Sequence, residues 1–175
     1  MNRIVRTASL ALVSAFIGCL SACSSYSPMY KAADKNDAAS INEQVAKGAS
    51  PNTPEHNGRV PLHAAAAKGN LAAAQALLAA GADPNKQDDR GDTPLMTAAA
   101  HGFGGIVQAM LDKHPPLDVQ NKGGKTALYF AVENGHGDIA NMLIKVGAKT
   151  DIKDNEGRSP TDLAQAKGIS LTGNP

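Results

Sequence analysis

The sequence contains no tryptophan and few aromatic residues of any kind. Aromatic side chains make up 3% of the 175 residues, whereas hydrophobic residues make up 42%. The apolar content therefore rests on alanine and leucine, which suits thin helices that pack closely.

Neither positive nor negative side chains are in clear excess. The formal net charge is +1, and it falls to about −1 if Arg3 and Arg6 are removed with an N-terminal signal segment. Binding to nucleic acid needs clustered basic residues that neutralise phosphates, and the sequence shows no such cluster. We therefore expect no nucleic acid among the partners.

Cysteine is nearly absent, since the two cysteines, Cys19 and Cys23, lie four residues apart near the start. They offer no disulfide framework to the rest of the chain. The five histidines include no pair at the helical i, i+4 spacing, so together with the lack of cysteine they form no zinc motif. The sequence predicts no metal site and no cofactor.

Residues 1–22 have the pattern of a secretory signal. Arg3 and Arg6 precede an apolar run over residues 8–20, which is shorter than the roughly 20 residues of a membrane-spanning helix. The run ends in Leu20-Ser21-Ala22-Cys23, which resembles the lipobox of bacterial lipoproteins. The resemblance implies cleavage before Cys23 and lipidation of that residue, whose acyl chains would form a stable membrane anchor. An ordinary secreted protein and an uncleaved anchor are the alternatives.

The residues after Cys23 bear on where the protein resides. In bacterial lipoproteins a serine such as Ser24, rather than aspartate, implies transfer to the inner leaflet of the outer membrane, facing the periplasm. Lipidation would also occupy the only thiol of the mature chain and so exclude thiol catalysis. Residues 23–26 leave a tether of three residues beyond the cysteine, which at about 3.5 Å per residue spans little more than about 10 Å. We expect the folded part to lie close to the membrane.

The rest of the chain repeats at an interval of 33 residues. Three sets of residues recur in register without an insertion. A period of this length indicates stacked supersecondary units that bury their apolar faces against one another. The sets are Gly58, Gly91, Gly124 and Gly157; Ala65, Ala98, Ala131 and Ala164; and Gly69, Gly102, Gly135 and Gly168.

The repeated unit resembles the ankyrin-repeat family. The family signature Thr-Pro-Leu-His-x-Ala corresponds to residues 60–65, 93–98, 126–131 and 159–164, for example Val60-Pro61-Leu62-His63-Ala64-Ala65. The resemblance implies an all-α solenoid of stacked helix-turn-helix units whose β-turns form a row of fingertips. It also implies that the chain binds a protein partner and has no catalytic activity.

The period places the boundaries of the units. Stepping back 33 residues from Pro61 and Leu62 leads to Pro28 and Met29, which indicates a less regular first repeat. Terminal repeats are expected to be atypical because one of their faces meets water. We predict an N-terminal capping repeat at 27–54, full repeats at 55–87, 88–120 and 121–153, and a C-terminal half-repeat at 154–175.

Apolar residues at helical spacing predict which side chains of these units face inward. In the repeat at 88–120 the second helix begins with Gly104 and Gly105, and His114-Pro115-Pro116 stands where the other repeats have a glycine that ends the helix. We therefore expect this repeat to be the least stable. The predicted inward residues are Ile41 and Val45; Leu71, Ala74, Leu77 and Leu78; Ile106, Val107, Met110 and Leu111; Ile139, Leu143 and Ile144; and Leu163 and Ala164.

The family resemblance also indicates the positions that would contact a partner, at the fingertips and on the concave face of the first helices. Charges of both signs alternate along this row, with Asp88, Asp89 and Asp92 on one tip and Lys122 and Lys125 on the next, which favours a protein partner. Solvation is the alternative role for each single charge. The predicted contact residues are His56, Asn57, Arg59 and Lys68; Asp89, Arg90, Asp92 and His101; Lys122, Lys125, Tyr129, Glu133 and Asn134; and Asn155, Glu156 and Arg158.

Three side chains within the signature positions have specific interpretations. The resemblance implies that His63 is structural and forms hydrogen bonds between neighbouring loops. Met96 is interpreted as packing. Tyr129 is either an aromatic anchor for a partner or a ring that fills space beside small alanines.

The leading functional hypothesis is a monomeric, lipid-anchored adaptor or scaffold that faces the periplasm. An immunity-type inhibitor of an envelope-targeted toxin is the main alternative, and a purely structural envelope role is another. A hydrolytic enzyme using His101, Asp92 and Glu133 is a remote possibility, because no strand-turn-helix elbow presents a serine nucleophile.

Overall fold

A computed structural model describes residues 26–172, so Cys23 and the predicted signal segment lie outside the described residues. Within this range the chain forms nine α-helices and no β-strand. The all-α prediction is therefore confirmed. The helices are α1 Pro28–Asp34, α2 Ala38–Ala46, α3 Pro61–Lys68, α4 Leu71–Ala79, α5 Pro94–His101, α6 Gly104–Leu111, α7 Ala127–Glu133, α8 Gly137–Lys145 and α9 Pro160–Lys167.

Helices α1, α5 and α9 begin where the repeated sequence has a hydroxyl residue followed by proline. Ser27, Thr93 and Ser159 each accept a hydrogen bond from the backbone N–H three residues later, and a proline occupies the next position. The side-chain oxygen satisfies one of the free N–H groups of the first turn, and proline lacks the N–H that would be unpaired there. The signature thus acts locally as a helix start.

The nine helices form two layers. The first helices of the repeats, α1, α3, α5, α7 and α9, each contact the next one in order, and so do the second helices, α2, α4, α6 and α8. Each repeat therefore buries its apolar surface against its neighbours, as expected for a solenoid. Residues 168–172 after α9 contain no helix.

Small and aliphatic side chains fill the space between the layers. Ala65, Ala98 and Ala131 are fully buried in the first helices, and Ile41, Leu77, Met110 and Leu143 are fully buried in the second helices. Alanine in the first helices allows the helices to approach closely without leaving cavities. Val45, Ile144 and Leu163 are partly buried and pack against this core.

The prediction for Leu71 was wrong, because 39% of this residue is exposed. Leu71 is the first residue of α4, and its side chain leans towards α6 of the next repeat. A Cβ atom added to Gly105 would lie 3.6 Å from Leu71 Cδ2, so the glycine leaves room for the leucine without covering it. Periodicity within one helix does not reveal such a contact between helices.

None of the helices in residues 26–172 has the length and apolar character required to cross a membrane.

Candidate protein interface

Backbone hydrogen bonds join the β-turn tips into a continuous row. Asp89 N donates to Asn57 O, Lys122 N donates to Arg90 O, and Asn155 N donates to Gly123 O, each over 3.0 Å. Each tip is thereby fixed relative to the next. The row holds exposed side chains at a constant spacing, which is what a rigid binding surface requires.

In three of the tips a short polar side chain accepts hydrogen bonds from two backbone N–H groups of the same tip. Asp88 Oδ1 accepts from Arg90 N and Asp92 N over 2.8 and 3.0 Å, and Asn121 and Asp154 do the same one and two repeats later. Asp88 is 9% exposed. Its predicted contribution to an acidic tip surface is therefore corrected, because its carboxylate is used by the backbone of its own tip.

A second connection between tips comes from two glutamines that the sequence interpretation missed. Gln87 Nε2 donates to Gly91 O and Gln120 O, each over 3.0 Å, and Gln120 Nε2 donates to Gly124 O and Lys153 O over 2.7 and 3.1 Å. Their side chains thus bind the backbone of two consecutive repeats. The sequence could have revealed this connection, because glutamine recurs after 33 positions.

Four of the predicted partner contacts, Arg90, Asp92, Lys125 and Glu133, already form ion pairs with one another. Asp92 Oδ1 accepts from Asn121 Nδ2 over 2.7 Å, and its Oδ2 lies 3.3 Å from Arg90 Nε. Lys125 Nζ lies 2.6 Å from Glu133 Oε1 and 5.0 Å from the centre of the Tyr129 ring. Asp92, Lys125 and Glu133 are partly buried and stabilise the surface, so their charges are less available to a partner than the sequence suggested.

Tyr129 is placed inside the protein, which removes it from the set of partner contacts. It is 1% exposed, and its hydroxyl donates to Asp154 Oδ2 over 2.6 Å. Of the two roles considered for this residue, the structure supports packing. Its buried hydroxyl is satisfied by a carboxylate from the next repeat.

The bond between Tyr129 and Asp154 belongs to a buried ionic network. Arg158 Nη2 and Nε donate to the same Asp154 oxygen over 3.0 and 3.2 Å. Burial by itself would raise the pKa of Asp154, but the hydrogen bonds from Tyr129, Arg158 and Glu156 outweigh it and hold the pKa well below its usual value. Burial and the same bond to Asp154 raise the pKa of Tyr129 to about 12. The carboxylate is therefore ionised and the phenol neutral at physiological pH.

His63 has the structural role that the family resemblance implied. Its Nδ1 accepts from Val60 N over 3.1 Å, so Nε2 carries the proton and donates to Asp92 O over 3.0 Å. The side chain is fully buried. It replaces the missing cap at Val60 and connects its repeat to the following tip.

The remaining predicted contacts lie at the surface. Asp89 and Lys122 form no ion pair with any residue in 26–172, and they stand on adjacent tips with opposite charge. Arg59 is partly buried. The exposed residues are His56, Asn57, Lys68, Asp89, Arg90, His101, Lys122, Asn134, Asn155, Glu156 and Arg158.

The residues considered for hydrolysis do not form a catalytic group. His101 Nδ1 bonds to Thr97 O over 2.8 Å, Asp92 bonds to Asn121, and Glu133 bonds to Lys125. No hydrogen bond joins any two of His101, Asp92 and Glu133. Across the described residues, no three histidine, cysteine, aspartate or glutamate side chains are placed to hold a metal ion.

Comparisons with known proteins agree with this architecture. The family model described as ankyrin repeats matches three overlapping stretches, at residues 5–88, 29–114 and 62–154. No curated protein matches the chain. Because these stretches cover most of the sequence and the two-layered stack has the corresponding helices, the chain belongs to the ankyrin-repeat family and has the architecture of a protein–protein interaction module.

Proposed function

We propose that the protein is a lipid-anchored adaptor or scaffold that faces the periplasm and binds one protein partner along its tip row. The tip row comprises residues 56–59, 89–92, 122–125 and 155–158. The observation that carries the proposal is the fixed spacing of this row, in which Asp89 and Lys122 stand exposed without an internal ion pair. Opposite charges at a constant separation select and orient a protein partner.

The start of the fold supports a location close to the membrane. Tyr26 stacks on Tyr30 with ring centres 4.4 Å apart, and α1 begins at Pro28. Only Ser24 and Ser25 therefore separate the proposed lipidated Cys23 from a residue that packs on the first repeat. The first repeat would then be held within about 10 Å of the acyl chains, at about 3.5 Å per residue.

Replacing the proposed lipid attachment site tests the anchor. We expect Cys23→Ser to block lipidation, so that the protein is no longer processed as a lipoprotein and no longer carries acyl chains. Metabolic labelling with a radioactive fatty acid should mark the wild type and not the variant. Replacing the neighbouring Ser25 by alanine is the control and should leave labelling intact. Equal labelling of both variants would contradict the lipobox interpretation.

Two exposed charges on the tip row test the binding face. We expect the double variant Asp89→Ala, Lys122→Ala to lower the affinity for the partner by about tenfold or more, because each residue would lose an intermolecular ion pair at the centre of the row. The measurement is capture of the partner from envelope extract by purified full-length protein, followed by titration of that partner. Neither substitution disturbs a bond within the fold.

A matched control lies on the second helices, away from the tip row. Asp138→Ala with Lys145→Ala removes the same pair of charges from α8, where both residues are exposed. This control should leave the affinity unchanged. Equal capture by all three proteins would exclude the tip row as the binding site. If the captured partner is a toxin whose activity falls on binding, the immunity-type inhibitor replaces the adaptor as the function.

A further inference from the structure

Arg59 differs from the residues at the same position of the other repeats. Asp92, Lys125 and Arg158, which follow at intervals of 33 residues, each form an ion pair within the protein. The guanidinium of Arg59 forms no hydrogen bond or ion pair with another residue in 26–172. Its Nε atom is buried and without a partner, a state shared in this range only with Asn85 Nδ2. Buried polar atoms are nearly always paired, so this exception needs a physical reason.

A second copy of the same residues shows what Arg59 lacks. Tyr129, Asp154 and Arg158 form a closed network in which Asp154 Oδ2 accepts from Arg158 Nε and Nη2 over 3.2 and 3.0 Å. Three repeats earlier the sequence places Tyr30, Glu55 and Arg59 at the corresponding positions. Both sets contain a tyrosine, a carboxylate and an arginine, but the arginine is bonded to the carboxylate only in the second set.

At the first set the carboxylate is engaged elsewhere. Glu55 Oε1 accepts from Ser27 N over 3.0 Å and thereby holds the residue that caps α1. A rotation of Glu55 towards Arg59 would leave this backbone N–H unpaired at the start of the fold. Arg59 is therefore left with the donors that Arg158 uses, and without the carboxylate that would accept from them.

The surroundings of Arg59 favour an anion at this place. Tyr30 and His63 are buried beside it, and its charge acts on both. Burial raises the pKa of Tyr30, which the Arg59 charge opposes, and burial lowers the pKa of His63, which the same charge reinforces. A partly desolvated guanidinium interacts more strongly with an opposite charge than an exposed one does.

We propose that Arg59 binds a carboxylate of the protein partner, from an aspartate or glutamate side chain, through its Nη atoms. The partner would supply the kind of acceptor that Arg158 finds in Asp154 within the protein. This inference rests on the proposed function and adds the chemistry that the partner must present. It makes the first tip of the row a specific anion-binding point.

The observations favour a protein carboxylate over a lipid phosphate. Anionic membrane surfaces attract clusters of several basic residues. Around Arg59 the charges are mixed, because Glu55 and Asp34 act on the adjacent Tyr30 and Asp89 lies on the next tip. A single arginine does not form such a cluster, but it can pair with one carboxylate presented in a defined orientation.

The Nε–Hε resonance of Arg59 in NMR spectra of the full chain in detergent micelles provides a direct test. The probe is a nine-residue peptide of glycine and serine with a central glutamate and both ends blocked, and its counterpart carries glutamine instead. We expect the Arg59 resonance to move at least threefold further with the glutamate peptide, whereas that of Arg158 stays in place. Equal movement with both peptides, or none with either, would overturn the proposal. Movement only with phosphatidylglycerol vesicles would identify a membrane contact instead.

A variant at this position separates a binding role from a structural one. Arg59→Gln should leave the melting temperature unchanged or higher, since the partly buried guanidinium forms no bond within residues 26–172, and should lower the affinity for the captured partner about tenfold. Lys145→Gln on α8 is the control for loss of one positive charge. A clear fall in melting temperature would make Arg59 structural. If the Asp89 and Lys122 double variant weakens partner binding and Arg59→Gln does not, the proposed function stands and this inference fails.

Discussion

Replacing Gly91 by alanine is expected to destabilise the protein by about 3 kcal/mol or more, because two costs add at this position. Gly91 has φ +78°, a left-handed conformation that disfavours a side chain by about 1–2 kcal/mol. A Cβ atom there would also lie 2.9 Å from Lys122 N and 3.1 Å from Asn121 Cα, which are backbone atoms of the next tip. The next tip cannot move away without stretching the bond from Lys122 N to Arg90 O.

The glycine at the end of the row separates the two costs. Gly157 has φ +81°, but apart from its chain neighbours no atom of residues 26–172 lies within 4 Å of a Cβ placed there. Gly157→Ala should therefore cost only the conformational strain of about 1–2 kcal/mol. The free energies of unfolding of both variants can be compared by urea titration of the full-length protein. Equal losses would show that the tips are not held at the close approach described.

Loss of the His63 side chain should have an effect of similar or larger size. We expect His63→Ala to lower the free energy of unfolding by about 3–5 kcal/mol, because it leaves a cavity and removes two hydrogen bonds to the backbone. Val60 N would become unpaired in a buried region, and Asp92 O would keep only its bond from Asp88 N. The second of these bonds joins two repeats, so the loss should also weaken the coupling between them.

The protein itself suggests the matched variant. Met96 occupies the same position one repeat later and is buried to a similar degree. His63→Met keeps most of the volume and removes both strong hydrogen bonds, so we expect a smaller loss of about 1–3 kcal/mol. If His63→Met is as stable as the wild type, the ring acts only as filling and the hydrogen bonds contribute nothing.

The contribution of His63 should also depend on pH. Burial lowers the pKa of His63 in the folded state, so the unfolded chain binds the proton more readily. The stability from the neutral ring is complete above the unfolded-state pKa of about 6.5 and declines as the pH falls below it. The difference between the wild type and His63→Met should therefore narrow between pH 7.5 and 5.5. A difference that widens over this range would contradict the assignment of a buried neutral ring.

The helices could be predicted from the sequence because their determinants are local. A hydroxyl residue before proline starts α5 and α9 whatever surrounds them, and the 33-residue interval reveals α1 although its signature is degenerate. The structural role of His63 followed from the family resemblance, and its two hydrogen bonds to backbone atoms confirm it.

Two of the errors concern side chains that contact residues of another repeat. Leu71 has the spacing of a core residue, but its position at the start of α4 leaves it across Gly105 and partly exposed. Asp92 occupies the position of a contact residue, but its carboxylate is already bonded to Asn121 and Arg90. A contact between repeats depends on which residue type occupies the corresponding position of the adjacent repeat.

The sequence by itself therefore determined the family and the order of the helices, because a strict period repeats one local structure. Only the tertiary structure decided which of the predicted contact residues still have a free charge. Tyr129 and Arg158 are bound by Asp154, whereas Arg59 is not bound by Glu55, although both sets have the same spacing. The reason is geometric: whether a carboxylate bonds to an arginine or to a backbone N–H depends on distances of about 3 Å across a repeat boundary.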